Sequence, residues 1–342
     1  MTDRQTDRQT DRQTDRQTDR QRNNAISAIR FIAMLMIITC HFMQYLNIEL
    51  AWWFNVGVQL FFVISGFLYG QKTISDPLAF YKKSFVKIVL PYWLFLIVAV
   101  IVQRILIPDV FSWEKVILAF LCVGRLDGIE HLWFVQTILI CYLLLPLLLT
   151  IKVHIMNKPK AKAIIWLLFC FLMIQFVGFS FSGFAMIPNR ITCFAMGIVL
   201  AGISQRKGSL TKSCFIFGII ALVMNAIRIY FHYFRGITGN QLFALFERYA
   251  HGALGIALFL LLYQILNNVK GNIILRFSDR YSYHIYLVHQ IFILGPLTLM
   301  NVTSYIAVNI LIIVVCILVS GVALERISYY LEKPIKRHLN LS

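Results

Sequence analysis

Charged residues are scarce in this sequence. Asp, Glu, Lys and Arg together make up 14% of its 342 residues, whereas ordinary soluble domains carry about 25%. Hydrophobic residues account for 59%, and the mean hydropathy is +0.73. This composition excludes an ordinary soluble domain and indicates an integral membrane protein.

Paired cysteines are missing as well. The seven cysteines are scattered within or beside apolar runs, and none forms a C-x-x-C pair. Neither a disulfide framework nor a zinc site is therefore predicted, and no metal is expected. The cysteines are interpreted as small, buried apolar side chains.

Acidic residues are fewer than basic ones, 15 against 32, which gives a formal net charge of +17. Such an excess can indicate a nucleic-acid partner. Here the positive charges sit mostly in short segments between apolar runs, which is the positive-inside pattern of membrane proteins. The sequence therefore predicts contact with membrane lipid and no nucleic-acid partner.

The N-terminal segment is a repeat. Residues 2–21 are five copies of Thr-Asp-Arg-Gln and contain no apolar residue, so we expect residues 1–23 to be a disordered tail. The integral-membrane domain is predicted at 24–342. The tetranucleotide ACAG, repeated and read in triplets, spells the same four residues. Slippage in such a tract would switch expression on and off, and the hypothesis gives the peptide itself no biochemical role.

The apolar runs predict an all-α bundle of about ten transmembrane helices. A helix needs about 20 largely apolar residues to cross a bilayer. The apolar segment 111–123 is too short to cross a bilayer, so an interfacial or re-entrant element is expected there. Lys and Arg are concentrated in alternate loops, which places both termini on the cytoplasmic side. The ten predicted spans are 25–46, 51–70, 86–106, 132–151, 163–182, 188–204, 213–234, 249–267, 281–299 and 304–325.

The first span carries two costly polar residues, Arg30 and His41. They are eleven residues apart, so at about 100° per residue they share one helix face and lie roughly 16 Å apart along its axis. Alone, Arg30 could snorkel to the headgroups and His41 could be a hydrogen-bonded core residue. Together they indicate a polar cavity, in which Arg suits an anionic or carbonyl ligand and His suits proton abstraction from a hydroxyl.

Further candidate residues lie at the starts or within the polar parts of other spans. Ser65 is interpreted as a packing residue or a hydrogen-bond donor. Lysines before the third span face either anionic lipid or a ligand, and Trp133 is also compatible with an aromatic belt. The candidate substrate-binding residues are Lys83, Lys87, Ser65, Trp133, Arg190 and His289.

The order of these motifs resembles the membrane-bound acyltransferase family 3, over essentially residues 23–338. The motifs are Arg30 with His41, G-V-Q-L-F-F-V-I-S-G-F at 57–67, P-Y-W at 91–93, H-L-W-F at 131–134, S-Y-H-I-Y-L-V-H at 282–289 and L-E-K-P at 331–334. The resemblance implies a ten-helix core that moves acyl groups, usually acetyl, from cytoplasmic acyl-CoA to sugar hydroxyls of surface glycans such as lipopolysaccharide. It makes His41 the expected catalytic base and Arg30 a donor-binding or site-organising residue.

The resemblance also implies a location and a set of partners. We expect a multi-pass protein of the bacterial inner membrane with acetyl-CoA as donor substrate, no bound cofactor, and a glycan or lipid-linked sugar as acceptor. Many members carry arginines before the third span, whereas this chain has Lys83 and Lys87, which cannot make the bidentate fork to phosphate. The main alternative is a transporter or exporter of a glycan intermediate, because polar-cored helix bundles also describe transporters.

Overall fold

The structure is a computed structural model that describes residues 3–156, 187–204, 208–237 and 240–339, with side chains from Asn24 to His154 in the first of these ranges. Every regular element within them is helical. In chain order the α-helices are α1 Asp3–Tyr45, α2 Ala51–Phe54, α3 Val56–Gly70, α4 Pro77–Leu106, α5 Trp113–Phe120, α6 Trp133–Met156, α7 Ile187–Ile203, α8 Ser209–Ile229, α9 Gln241–Ile265, α10 Ile273–Ile293 and α11 Ile306–His338.

Among the described residues, seven helical stretches are long and apolar enough to cross a membrane, and α7 is a shorter apolar helix. The helix α10 has 21 residues but is not one of these seven, since its first half carries Arg276, Asp279 and Arg280. The predicted span 163–182 lies outside the described residues. The predicted all-α, polytopic fold is confirmed.

The helices enclose a central space. Going round it, α1 packs against α10, α10 against α11, α11 against α4, α4 against α6, α6 against α7, α7 against α3, and α3 against α1 again. Helix α9 packs outside this ring on α3 and α7, and α8 packs on α9. Apolar side chains such as Phe215 and Leu222 point outward and are exposed, as lipid-facing residues are. The ring determines which residues can share a site.

Several helices begin or end away from their predicted bounds. Helix α4 begins at Pro77 rather than near residue 86, because the Asp76 carboxylate accepts hydrogen bonds from the backbone N–H groups of Leu78 and Ala79 and Pro77 occupies the first turn. Residues 91–93 therefore lie inside α4 and not at its start. Helix α1 begins within the repeat, at Asp3, but its side chains are described only from Asn24, so the disorder of residues 1–23 stays a prediction.

The tightest helix pair is α3 with α7. A Cβ added to Gly66 would overlap the backbone carbonyl of Phe194, and one added to Gly197 would overlap the carbonyl of Val63. The two backbones approach this closely because both helices present glycine at the crossing. This contact fixes α3 and the residues that it presents to the central space.

The apolar segment 111–123 folds mainly as the short helix α5, which does not cross the bundle. It is attached to α4 by two hydrogen bonds: Tyr92 Oη donates to the Ala119 carbonyl at 2.7 Å, and Trp93 Nε1 donates to the Phe120 carbonyl at 2.9 Å. The P-Y-W motif thus anchors α5 through its two aromatic residues.

Candidate active site

Arg30 and His41 both face α10. Arg30 forms an ion pair with the carboxylate of Asp279 at 2.5 Å, and Ser27 Oγ donates to the other oxygen of that carboxylate. The His41 ring lies 5.0 Å from the ring of His289, between centroids. Since Asp279 and His289 are ten residues apart on one helix, α10 holds a partner for each of the two predicted residues. The shared face predicted for Arg30 and His41 is the face toward α10.

A cavity of about 380 Å³ occupies the space inside the ring on the side of Arg30. Its charged lining is three basic and three acidic side chains: Arg30 on α1, Lys87 on α4, Asp279 and Arg280 on α10, and Glu325 and Glu332 on α11. Arg280 Nε lies 2.7 Å from Glu325 Oε1, so these two walls are joined by an ion pair. The cavity is therefore polar at this end, which we call the Arg30 end of the bundle.

The same cavity is less polar farther in. Ser65 and Tyr142 contribute hydroxyl groups to its lining, and Phe134 and Tyr286 contribute aromatic rings. The ring of Tyr286 lies 4.8 Å from that of Phe134 and 5.3 Å from that of His289. The aromatic wall of the cavity is thus in contact with the histidines at the other end of the bundle, which we call the His41 end.

Three histidines meet at the His41 end. His289 lies between His41 and His131, at ring-centroid distances of 5.0 and 4.9 Å. His131 comes from the turn before α6 and is 4% exposed, and His289 is fully buried. Tyr286 Oη donates to the His131 carbonyl at 2.6 Å, which ties α10 to the start of α6. We call His41, His131 and His289 the histidine cluster.

Hydrogen bonds define which nitrogen of each ring carries a proton. In His41, Nδ1 lies 2.7 Å from the side-chain oxygen of Gln44. In His289, Nδ1 lies 2.5 Å from the Tyr286 carbonyl, and in His131, Nε2 lies 3.0 Å from the Leu287 carbonyl. An amide oxygen only accepts, so each of these nitrogens is a donor in the neutral ring. The opposite nitrogens, Nε2 of His41 and His289 and Nδ1 of His131, keep their lone pairs.

Two of these lone pairs are buried. His289 Nε2 and His131 Nδ1 have no hydrogen-bond partner among the described residues. Among the same residues, no member of the cluster forms an ion pair with a carboxylate. The cluster therefore offers proton-accepting nitrogens in an apolar setting, which is the chemistry that a general base requires.

Two further predicted residues are neighbours at the same end. The guanidinium carbon of Arg190 lies 5.2 Å from the ring centroid of Trp133, and Arg190 Nη1 donates to the Asn189 side-chain oxygen at 3.0 Å. Trp133 follows His131 by two residues, at the start of α6. The pair Trp133 and Arg190 thus adjoins the histidine cluster.

The structure groups most of the predicted residues into the two ends of one site. Arg30, Ser65 and Lys87 line the cavity, while His41, His289, Trp133 and Arg190 lie at the His41 end. Lys83 belongs to neither end. It is exposed, one turn before Lys87 on α4, and is not part of the cavity lining. No residue's role is tested by this arrangement, so the role of each stays a prediction.

Sequence reasoning missed Asp279, His131 and Tyr286 as members of the site. Each lies in or beside a motif of the sequence. His131 opens the H-L-W-F motif, and Asp279 and Tyr286 lie beside and within the polar start of the ninth predicted span. An acidic residue in such a polar segment is a signal for a paired cation. The partner of that acid cannot be read from the sequence, because Asp279 and Arg30 are 249 residues apart.

No curated protein and no solved structure matches the chain. The family model described as an acyltransferase domain, Acyl_transf_3, matches residues 23–325, which include both ends of the site. The chain therefore belongs to acyltransferase family 3 and is a membrane acyltransferase.

Proposed function

We propose that the protein transfers an acyl group, acetyl in the first instance, from acyl-CoA to a hydroxyl of a cell-surface or lipid-linked glycan. One observation carries the proposal. A cavity with charged residues at its mouth ends at Phe134 and Tyr286, and Tyr286 contacts the histidine cluster. A donor can thus enter from one end while an acceptor meets a base at the other.

The donor would occupy the cavity. A volume of about 380 Å³ is near the lower limit of ordinary ligand sites, about 300 Å³, so it suits the acyl group and part of the pantetheine arm. The phosphates would remain at the mouth near Lys87, Arg280 and Lys83. Because lysine is a point charge, its contact to phosphate is single and not bidentate.

Arg30 would organise the donor end and not act as an unpaired cation. Its guanidinium is held by Asp279, which also accepts from Ser27. An arginine has five N–H donors, so the ion pair leaves other donors for a carbonyl of the pantetheine arm. Asp279 fixes the direction in which these donors point.

His41 would act as general base. Gln44 holds the proton on Nδ1, so Nε2 can accept the proton of a sugar hydroxyl as its oxygen attacks the thioester carbonyl. The carbon–oxygen bond forms, and the tetrahedral intermediate then expels the CoA sulfur. The sulfur takes the proton from His41, which gives an O-acyl ester, free CoA thiol and the original histidine. Ser65 would donate a hydrogen bond to the carbonyl oxygen as its negative charge develops.

The acceptor would be held at the His41 end, where His289, Trp133 and Arg190 lie. We place the protein in the bacterial inner membrane with both termini in the cytoplasm, because Lys and Arg are concentrated in the loops of that side. The repeat would make expression phase-variable. Sequencing the gene from many colonies tests this last point, and an invariant tract of mixed codons would exclude it.

Acyl transfer is distinguished from export by an assay on the purified full-length protein. We expect release of CoA thiol from acetyl-CoA that depends on added acceptor glycan, with a mass gain of one acetyl group on the glycan. A gene-deletion strain should still export its glycan, unacetylated. The proposal fails if the purified, folded protein releases no thiol and the deletion strain accumulates glycan inside the cell, since that pair of results describes an exporter.

A further inference from the structure

Two arginines, a histidine and a tryptophan form a group at the His41 end, and some of their buried nitrogens have no hydrogen-bond partner among the described residues. It consists of Arg190 on α7, Arg228 on α8, His251 on α9 and Trp52 on α2, and we call it the basic cluster. The guanidinium carbon of Arg228 lies 3.0 Å from the Trp52 ring centroid, and the His251 ring lies 4.4 Å from the same ring. Arg190 belongs to this group because α7 and α9 approach closely at Asn189 and Gly252, the residues next to Arg190 and His251.

Arg190 is a buried cation without an acidic partner. It is 5% exposed and forms no ion pair with any described residue. The internal segments outside the described residues, 157–186, 205–207 and 238–239, contain no Asp or Glu in the sequence. A buried charge of this kind is costly unless it is paired, so the counter-ion is expected from outside the chain.

The same group leaves three buried nitrogens unused. Arg190 Nε, His251 Nδ1 and His251 Nε2 have no hydrogen-bond partner among the described residues, and His251 is 4% exposed. Buried polar atoms in native proteins are nearly always bonded, so atoms left unbonded together indicate a ligand. Arg190 Nε is a donor and a neutral imidazole offers one donor and one acceptor, a set that suits an anionic oxygen beside a hydroxyl.

The neighbouring groups explain why these atoms are near one another. A Cβ added to Gly252 would lie 2.6 Å from Asn189 Nδ2, so α7 and α9 approach closely beside Arg190 and His251. Arg228, in contrast, already has an acid: its Nε lies 3.8 Å from Glu247 Oε1, and Glu247 is also 3.6 Å from His232. The uncompensated charge therefore belongs to Arg190.

We propose that Arg190 and His251 bind an anionic group, a carboxylate or a phosphate, carried by the sugar acceptor. This inference rests on the proposed function, because it names the acceptor class of the same site. Trp133 and Trp52 flank the two residues and supply flat apolar surfaces for a sugar ring. The cluster thus selects acidic glycans over neutral ones.

The test measures binding without an acyl donor, so that it does not depend on turnover. Full-length protein in neutral detergent is titrated calorimetrically with methyl glucuronoside, glucose 6-phosphate and methyl glucoside. We expect at least one charged sugar to bind at least tenfold more tightly than the glucoside, about 1.4 kcal/mol. The first two probes distinguish a carboxylate acceptor from a phosphorylated one.

Variants assign the preference to the cluster. Arg190→Gln should abolish the preference for the charged sugar, while Arg235→Gln, which removes the same charge at an exposed position, should leave it unchanged. If Arg190→Gln does not fold, Arg190→Lys carries the test. It keeps the charge but removes Nε–H, so the charged sugar should bind several-fold more weakly and the glucoside as before.

Several results overturn the proposal. Equal affinity for charged and neutral sugars does so, as does a preference that survives both Arg190 variants. Binding of phosphatidylglycerol nanodiscs, with neither charged sugar binding, would assign the site to lipid and not to the acceptor. Selective binding in a protein that transfers no acyl group would support this site and refute the proposed reaction, so the two failures are distinguishable.

Discussion

The proposed reaction depends on the protonation state of individual histidines. His41 is one of three imidazoles, but it differs from His131 and His289 in its hydrogen-bond partner, which is the side chain of Gln44 and not a backbone carbonyl. Gln44 is one turn away on the same helix, so the orientation of His41 is set locally. This makes His41 the cluster member whose environment can be altered by one substitution without disturbing a contact between helices.

His41→Ala should lower glycan acetylation by about 10²- to 10⁴-fold, the usual contribution of a general base, while protein abundance stays normal. Gln44→Ala should cause a smaller loss, because the ring remains but its tautomer is no longer fixed. The measurement is acetyl transfer from labelled acetyl-CoA by purified variants.

His338→Ala is the matched control for His41→Ala, since His338 is exposed near the end of α11 and should leave transfer unchanged. Full transfer by folded His41→Ala would remove His41 from the role of base. Arg30 is less simple to test, because its loss also leaves the Asp279 carboxylate without its cation.

At the scale of elements, the site depends on how closely helices approach. Helix α3 carries Ser65 into the cavity, and it packs on α7, which carries Arg190. The contact between them relies on Gly66 and Gly197, where even a methyl group would collide with the backbone of the other helix. The small residues of the G-V-Q-L-F-F-V-I-S-G-F segment thus contribute packing, and Ser65 within it also reaches the cavity.

Gly66→Ala should destabilise the protein by about 1–3 kcal/mol, the usual cost of overpacking a well-packed contact. Gly218→Ala provides the comparison, because nothing lies within 4 Å of the position that its Cβ would take, and α8 should gain up to about 1 kcal/mol. Thermal unfolding in detergent measures both. Equal stability of the two variants would contradict the close approach of α3 and α7.

Hydropathy alone fails to identify some membrane helices of such a bundle as spans, and α10 is an example. Helix α10 carries Asp279 and Arg280 toward one end and His289 toward the other. Asp279 and His289 both contact α1, through Arg30 and His41, and Arg280 contacts α11 through Glu325. Polar residues in a membrane helix mark an interior face. Here that face lines the cavity and reaches the histidine cluster.

At the scale of the whole molecule, the ring of helices has two ends that differ in chemistry, and the proposed reaction assigns one substrate to each. The cavity has exposed charged residues, such as Lys87 and Arg280, at the Arg30 end, and the histidine cluster is at the other end. In the proposed reaction, donor and acceptor would therefore approach from opposite faces of the membrane. Both termini are proposed to lie on the donor side. A transferase of this form would acylate an external glycan without moving CoA across the membrane.

Sidedness can be measured in proteoliposomes that contain the acceptor glycan. Acetyl-CoA does not cross the bilayer, so we expect transfer only when it is added to the face where a C-terminal tag is accessible to protease. Opening the vesicles with detergent should give transfer irrespective of the side of addition. Transfer from the face opposite the tag would show that the proposed orientation is wrong.

Local features of this protein were readable from its sequence. The apolar runs determine that the chain is a bundle of membrane helices, because about 20 apolar residues in succession have few other stable arrangements. The spacing of Arg30 and His41 determines that they share a face, because helical geometry is fixed by the backbone. The order of the motifs indicated the family, which the match over residues 23–325 confirms.

The tertiary structure decided which residues meet across helices. The pairing of Arg30 with Asp279 and the meeting of His41 with His289 and His131 join residues that are distant in sequence. The tertiary structure also leaves Arg190 without an ion pair to any described residue. Helix periodicity sets which side chains share a face, but it leaves open which helix that face meets. Packing of the ring makes that choice, and with it the two-ended site.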